Sequence, residues 1–298
     1  MMKNELKQTI AKTLNNNLSI EDAIKDFIDL RNIDLNTTSA LSQKGLKFIN
    51  FFTMIERLDT RGIKKLSFFE FIDNFQEEMK KPYYKKVYDY LCKTRPNLDF
   101  YKIAKLIFSF SFGSLNAFRP IISMNIYQKF KPKSVLNPFS GWGGFVVGAA
   151  ALDIPQIIAI DSNSNLFVPY TEMKETLSKL SSSKIEFIIS DFFSVNLNKI
   201  KYDMVIMSPP YYTKEIYNNQ PHIYRSKKDW NNNFYRPLFK SCYNGLERNG
   251  VMAINVPHEI YKSCLVPLFG SAKEFIPLSK YNKNNKYKEL IYIYFKDS

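Results

Sequence analysis

Cysteine is scarce in this chain: Cys92, Cys242 and Cys264 are the only three. They are odd in number and none sits in a CxxC pair, which excludes a disulfide framework and gives no zinc-ligand spacing, so a reducing compartment and no metal are expected. Long apolar runs are absent too. No stretch of about 18 apolar residues occurs, so no membrane span is expected. The N-terminal "MMKNELKQTIAKTLNNNLSIEDAI" alternates charge with apolar residues and lacks the continuous apolar segment of a signal peptide. The expected location is the cytoplasm: of a bacterium, or of a host cell (or in the virion) if the source is viral. Acidic residues are in deficit as well, 28 against 42 Lys and Arg, for a formal charge of +14. A partner with repeated negative charge, nucleic acid above all, suits that balance.

The 298 residues, 45% of them apolar, suffice for one substantial core and a small second one. Residues 1–95 read as a helical N-terminal region. In "LSIEDAIKDFIDLRNI", Ile20, Ile24, Phe27, Ile28 and Leu30 recur at helical spacing behind Ser19 as N-cap and Asp22 as an early acid. "RGIKKLSFFEF" and "MKKPYYKKVYDY" mix basic and aromatic residues, a pattern that could contact phosphates and bases but that amphipathic helices with solvated lysines explain better.

Residues 96–298 form the expected main domain. From residue 134 short apolar runs alternate with helical stretches: "SVLNPF", "QIIAID", "KIEFIIS", "YDMVIMS", "GVMAINV", "KEFIPLS" and "ELIYIYFK". Seven such runs predict an α/β fold with a mostly parallel sheet and helices on both faces. The last two runs are joined by "KYNKNNKYK", too short for a crossover helix, which predicts an antiparallel hairpin at the sheet edge.

The chemistry gathers where these strands end. "VLNPFSGWGGFVVGAAAL" is a strand, a glycine turn at Gly141, Gly143 and Gly144, and an apolar helix; glycines there let a ligand approach the backbone beside a helix N-terminus. The turn lacks the GK[ST] ending of a triphosphate loop. The next strand ends in Asp161, placed to accept hydrogen bonds from the ribose hydroxyls of a bound nucleoside. The third ends in Asp191 and Phe192, suited to an adenine amino group and its ring. The fourth runs into "SPPYY", Ser208 to Tyr212, a rigid aromatic corner.

With the glycine turn and this corner in order, the sequence resembles the S-adenosylmethionine-dependent amino-methyltransferases, which methylate the exocyclic amino group of adenine or cytosine in DNA. The resemblance covers about residues 110–298. It implies the Rossmann-like methyltransferase fold, with S-adenosylmethionine as cofactor and DNA, or RNA, as partner. The family's "FxGxG" turn corresponds to Phe139, Gly141 and Gly143, and its "[DNS]PP[YFW]" corner to Ser208, Pro209, Pro210 and Tyr211. Upstream, "NAFRPIISMNIYQKF" is implied to close over the cofactor's methionine end through Asn116, Phe118 and Arg119. The SPPY form favours N4 of cytosine over N6 of adenine. In that chemistry Ser208 and the Pro209 carbonyl accept the amino hydrogens and direct the nitrogen lone pair at the methyl, while Tyr211 stacks on an extruded base. No covalent intermediate is needed, in keeping with the missing PC nucleophile motif.

Where the family has an acid ahead of the glycine turn, this chain has Asn137, which can still accept from the cofactor's amino group without the charge pairing. The following "YTKEIYNNQPHIYRSKKDWNNNFYRPLFK" interleaves Lys214, Arg225, Lys227, Lys228 and Arg236 with Tyr212, Tyr217, Tyr224, Trp230 and Tyr235. It reads as a nucleic-acid-contacting lid whose Trp230–Phe239 end starts the next helix. His222 reads as a loop residue and His258 as structural or helix-starting. The competing readings are an RNA or protein-glutamine methyltransferase, and a nucleic-acid-binding subunit that has kept the fold and lost catalysis. Monomer and homodimer both stay open.

Overall fold

A computed structural model describes residues 2–62, 64–113, 115–212, 224–278 and 289–297. Seven helices come first among them: α1 (Asn4–Leu14), α2 (Ile20–Arg31), α3 (Leu46–Asp59), α4 (Phe68–Asp73), α5 (Phe75–Met79), α6 (Pro82–Thr94) and α7 (Phe100–Phe112). The expected start of α2 is borne out, with Ser19 and Asp22 forming a reciprocal capping box. Its buried face differs from the expected one. Ile28 is exposed, and Asp26 is buried in its place. The reason lies in α3, whose N-cap, Gly45, has no side chain to offer. Asp26 Oδ2 accepts instead from the backbone N–H groups of Lys47 and Phe48 at 2.8 and 3.2 Å.

Then come α8 (Pro120–Phe130), β1 (Ser134–Asn137), α9 (Gly144–Ala151), β2 (Gln156–Asp161), α10 (Phe167–Leu177), β3 (Lys184–Ile189) and β4 (Met204–Met207). The chain ends with α11 (Lys227–Trp230), α12 (Arg236–Gly245), β5 (Val251–Asn255), α13 (His258–Ile260), α14 (Val266–Phe269), β6 (Glu274–Pro277) and β7 (Leu290–Phe295). All seven expected strands form one sheet in the order β3-β2-β1-β4-β5-β7-β6. β1 pairs in parallel with β2 and β4, β2 with β3, and β4 with β5. β6 and β7 pair antiparallel at the sheet edge as expected, with β7 inserted between β5 and β6, so that β6 is the edge strand on that side and β3 on the other.

Successive strand residues point to opposite faces, and both faces are covered. On one face Val135, Ile157, Ala159, Met204 and Ala253 share a core with α8, α9 and α10. That core also takes in Ala23, Phe27 and Leu30 of α2 and Phe48, Ile49 and Phe52 of α3. On the other face Leu136, Ile158, Val205, Met207 and Met252 pack with Phe239 and Cys242 of α12 and with Cys264 and Leu265. A third cluster, around Phe68, Phe71, Ile107 and Phe108, joins α1, α4 and α7. Two helices of the N-terminal region are thus part of the main core, and Arg31 ties α2 to the end of α9 through a two-pronged ion pair with Asp153 at 2.6 and 3.0 Å. All three cysteines are free. No helix among the described residues is long and apolar enough to cross a membrane.

Candidate active site

β1, β2, β3 and β4 all end on one edge of the sheet, so the groups at their tips converge. A right-handed crossover after each parallel strand leaves that edge as a crevice, where ligands of open α/β sheets bind.

The glycine turn is held from below. Asp161 Oδ2 accepts from the Gly141 N–H at 2.7 Å, its Oδ1 accepts from the Asn163 N–H at 3.0 Å, and the Tyr170 hydroxyl donates to the Gly141 carbonyl at 2.6 Å. Gly141 and Gly143 have φ of +53° and +86°, a region that suits glycine. At Gly144 the need is space: a Cβ there would lie 2.1 Å from the Phe118 carbonyl oxygen. The entry to α8 therefore presses directly on the start of α9. Burial raises the Asp161 carboxyl to about 6, with Glu56 nearby adding to the rise and the N–H groups of Asn163 and Gly141 opposing it.

Two cavities flank the turn and meet at Phe139, Gly141 and Ser208. The first is lined by Asp161, Asp191, Phe192 and Pro210, with Tyr224, Trp230 and Phe234 completing an aromatic wall. Phe139 lies 6.0 Å from Phe192 and 5.7 Å from Phe234 between ring centres. Carboxylates beside aromatic faces fit an adenosine: acceptors for ribose hydroxyls and an amino group, rings for a base. The second cavity, about 770 Å³, lies within the range of small-molecule sites. Its walls include Asn116, Phe118, Arg119, Trp142, Pro209, Tyr211 and Asn255.

The structure thus brings together Asn116, Phe118, Phe139, Gly141, Asp161, Asp191, Phe192, Ser208, Pro209, Pro210 and Tyr211 around one crevice. Other expected contacts sit elsewhere. Asn137 is fully buried and lines neither cavity; its Nδ2 donates to the Ile206 carbonyl at 2.9 Å, bridging β1 and β4. An aspartate could not make that bond, which accounts for asparagine at this position. Gly143 lies beneath the wall, where a Cβ would meet Met173 Sδ at 3.1 Å.

Tyr212 is no free stacking surface either. It is buried with φ of +53°, its N–H donates to the Tyr235 hydroxyl at 2.9 Å, and its own hydroxyl donates to Asn231 at 3.1 Å. Trp230 and Tyr235 are interior as well, and the expectation that the Trp230–Phe239 end starts the next helix is borne out: α11 continues through a π-helical stretch, Asn231–Tyr235, into α12. Arg225 and Lys228 are exposed beside the crevice, while Lys227 pairs with Glu259 at 2.7 Å. Lys214, Tyr217 and His222 lie outside the described residues. His258 starts α13, as expected.

The sequence reading missed three contributions. Leu46, Asn50 and Arg57 of α3 line the second cavity, and burial pulls the Arg57 guanidinium down to about 10. Glu56, one residue earlier, accepts from Asn163 Nδ2 at 2.7 Å and so braces the loop after β2. The third is Asn255 at the tip of β5, whose amide oxygen accepts from the Tyr211 hydroxyl at 2.7 Å.

A protein-family model described as RNA cap guanine-N2 methyltransferase matches residues 132–247, from ahead of β1 to just past α12. Ribosomal RNA large subunit methyltransferase I of Enterobacter sp. (strain 638) is 35% identical over 88 residues, covering 28% of this chain and 22% of that protein. Its namesake in Cronobacter sakazakii is 35% identical over 83 residues, or 26% and 20% of the two chains. The chain spans about a fifth of the length of these curated relatives. A methyltransferase structure from Pyrococcus furiosus aligns at 15% identity over 65% of this chain and 94% of that one, with a TM-score of 0.41. The chain has the sheet order of the Rossmann-like methyltransferase fold, and the family match spans both its glycine turn and its proline corner, the crevice that S-adenosylmethionine fits as cofactor.

Proposed function

We propose that this chain methylates the exocyclic amino nitrogen of a nucleobase in RNA, guanine N2 foremost. The observation that carries the reading is the family match over residues 132–247, described for guanine N2 in an RNA cap, because it spans the cofactor turn and the proline corner together. The curated relatives, named for ribosomal RNA, support RNA over DNA. The cytosine-N4 or adenine-N6 reading in DNA has the four-residue corner behind it and is the second choice. Guanine N2 poses the same chemical problem as those amino groups: its lone pair is delocalised into the ring. The same acceptors therefore serve all three.

The bound cofactor supplies an electrophilic methyl on a sulfonium. The chain's residues do the rest. Asp161 and Asp191, with the Phe139, Phe192 and Phe234 rings, hold the adenosine end in the first cavity. Asn116, Phe118 and Arg119 close over the methionine end. Ser208 Oγ and the Pro209 carbonyl accept the two amino hydrogens, which favours a tetrahedral nitrogen with its lone pair directed at the methyl carbon. Pro209 and Pro210 keep that carbonyl from turning away. The N–C bond forms as the C–S bond breaks, and the surplus proton leaves to water. Arg225 and Lys228 carry phosphate contacts, and the cytoplasm is the fitting compartment.

The test is transfer of labelled methyl from S-adenosylmethionine to matched RNA and DNA oligonucleotides, capped and uncapped RNA included. RNA labelling with DNA blank is the expected result. Labelling of DNA alone returns the reading to the DNA amino-methyltransferases, and labelling of neither overturns both.

A further inference from the structure

The proline corner is wired to β5 through hydrogen bonds whose directions can be worked out. Asn255 is buried at the C-terminal tip of β5, and its Nδ2 donates to the Leu290 carbonyl of β7 at 3.1 Å. A carbonyl can only accept, so this bond fixes which end of the amide is oxygen, and Oδ1 must face the corner. The Tyr211 hydroxyl lies 2.7 Å from Oδ1 and 3.2 Å from the Asn255 backbone carbonyl, both acceptors. At 2.7 Å from an oxygen that can only accept, the hydroxyl must place its proton on Asn255 Oδ1. Ser208 Oγ lies 2.8 Å from the same tyrosine oxygen and 3.3 Å from Asn255 Oδ1. With the tyrosine proton engaged, the serine must be the donor in either contact. Its proton points into the protein, while Ser208 itself lines both cavities.

We infer that Asn255 is a positioning residue that, through Tyr211, makes Ser208 an obligate hydrogen-bond acceptor toward the target amino group. The inference rests on the amino-group reading above. A serine hydroxyl left to rotate could instead donate to a ring nitrogen or carbonyl of the bound base, which would leave the amino hydrogen unpaired. The relay also ties the Tyr211 ring at its hydroxyl end, so the same asparagine sets the plane on which a base would stack.

The test uses the full chain and the variants Asn255→Leu, Asn255→Asp and Tyr211→Phe. Asn255→Leu is expected to lower kcat about tenfold, the order of one hydrogen bond, with KM for the nucleic acid and affinity for S-adenosylhomocysteine within about twofold. Asn255→Asp, whose carboxylate still accepts from Tyr211, recovers most of that loss in kcat while lowering stability, since it has no donor left for the Leu290 carbonyl. Tyr211→Phe, which keeps the ring and breaks the relay, shows the same kcat loss and adds nothing in the Asn255→Leu background. Independently of turnover, NMR of the S-adenosylhomocysteine complex should show a slowly exchanging Tyr211 hydroxyl proton in the wild type and Asn255→Asp, and a markedly faster exchange in Asn255→Leu, where only the 3.2 Å contact to the backbone carbonyl of residue 255 is left. Wild-type kcat in Tyr211→Phe or Asn255→Leu overturns the inference, as does a parallel fall of kcat and S-adenosylhomocysteine affinity, or a hydroxyl proton that exchanges as slowly in Asn255→Leu as in the wild type. Were the wild type to methylate no amino group at all, the functional reading would fall while the hydroxyl signal still decided the relay.

Discussion

Lowering the pH should weaken cofactor binding through Asp161. The carboxyl is raised from 3.8 to about 6 in the free protein, chiefly by burial. At pH 7 about nine in ten molecules carry it ionised, and at pH 5 about one in ten. Ribose hydroxyls donate to the ionised form, so binding selects it. Affinity for S-adenosylhomocysteine should therefore fall about tenfold between pH 7 and pH 5, or about 1.4 kcal/mol, with a proton released on binding below pH 6. The folding signature has a definite sign as well. Because the native carboxyl holds its proton more tightly than the unfolded one, its contribution to the stability of the free protein is full below pH 4. That contribution, up to about 3 kcal/mol, is lost as the pH rises through about 6. Calorimetric titration in two buffers of different ionisation enthalpy reads both affinity and proton release. Asp161→Asn is a poorer probe, since its amide would turn a donor toward the N–H of Gly141 or Asn163 and disturb the turn itself. Flat affinity from pH 5 to 8, or proton uptake, would refute the assignment of Asp161 to the ribose.

Three further outcomes follow from the geometry. Asn137→Asp removes the donor to the Ile206 carbonyl and buries a carboxylate, and should cost about 1–3 kcal/mol in urea unfolding at pH 7; an unchanged midpoint would contradict the bridging role. Arg225→Ala and Lys228→Ala should each reduce the slope of log affinity against log salt for single-stranded RNA by about 0.7, and Lys227→Ala by less because Glu259 already holds that ammonium. Deleting residues 1–95 strips Phe27, Leu30, Phe48 and Ile49 from the main core. At about 1.5–3 kcal/mol each, their loss rivals the whole stability of a domain, so circular dichroism should show no cooperative unfolding. A cooperative transition in the truncated chain would mean that the sheet folds without α2 and α3.

What could be read along the chain was local. β-branched and apolar runs between turn residues marked all seven strands, and Asp161, Asp191 and the proline corner marked where they end. Placement across the sheet was less legible. Nothing in "ELIYIYFK" says that β7 slips inside β6, because that depends on pairing with β5. The wall built by α3 was illegible for a similar reason: Glu56 meets Asn163 from 107 residues away, and an amphipathic helix does not announce what its polar edge will touch. "INVP" read as the end of a strand, and Asn255 gained its role only when β4 and β5 were set side by side. The aromatics after the corner misled in the opposite direction. Tyr212 alternates with polar residues like part of a lid, yet it is buried against Tyr235, and of the aromatics farther on Trp230 lines the first cavity while Tyr235 packs behind it.

On the proposed function the acceptor is an exocyclic amino nitrogen. The most direct measurement is mass spectrometry of nucleosides released from RNA methylated by the purified protein. The methyl is expected on a base amino group, N2-methylguanosine first among them. A methyl on a ring carbon, a ring nitrogen or the ribose would contradict the roles given to Ser208 and Pro209.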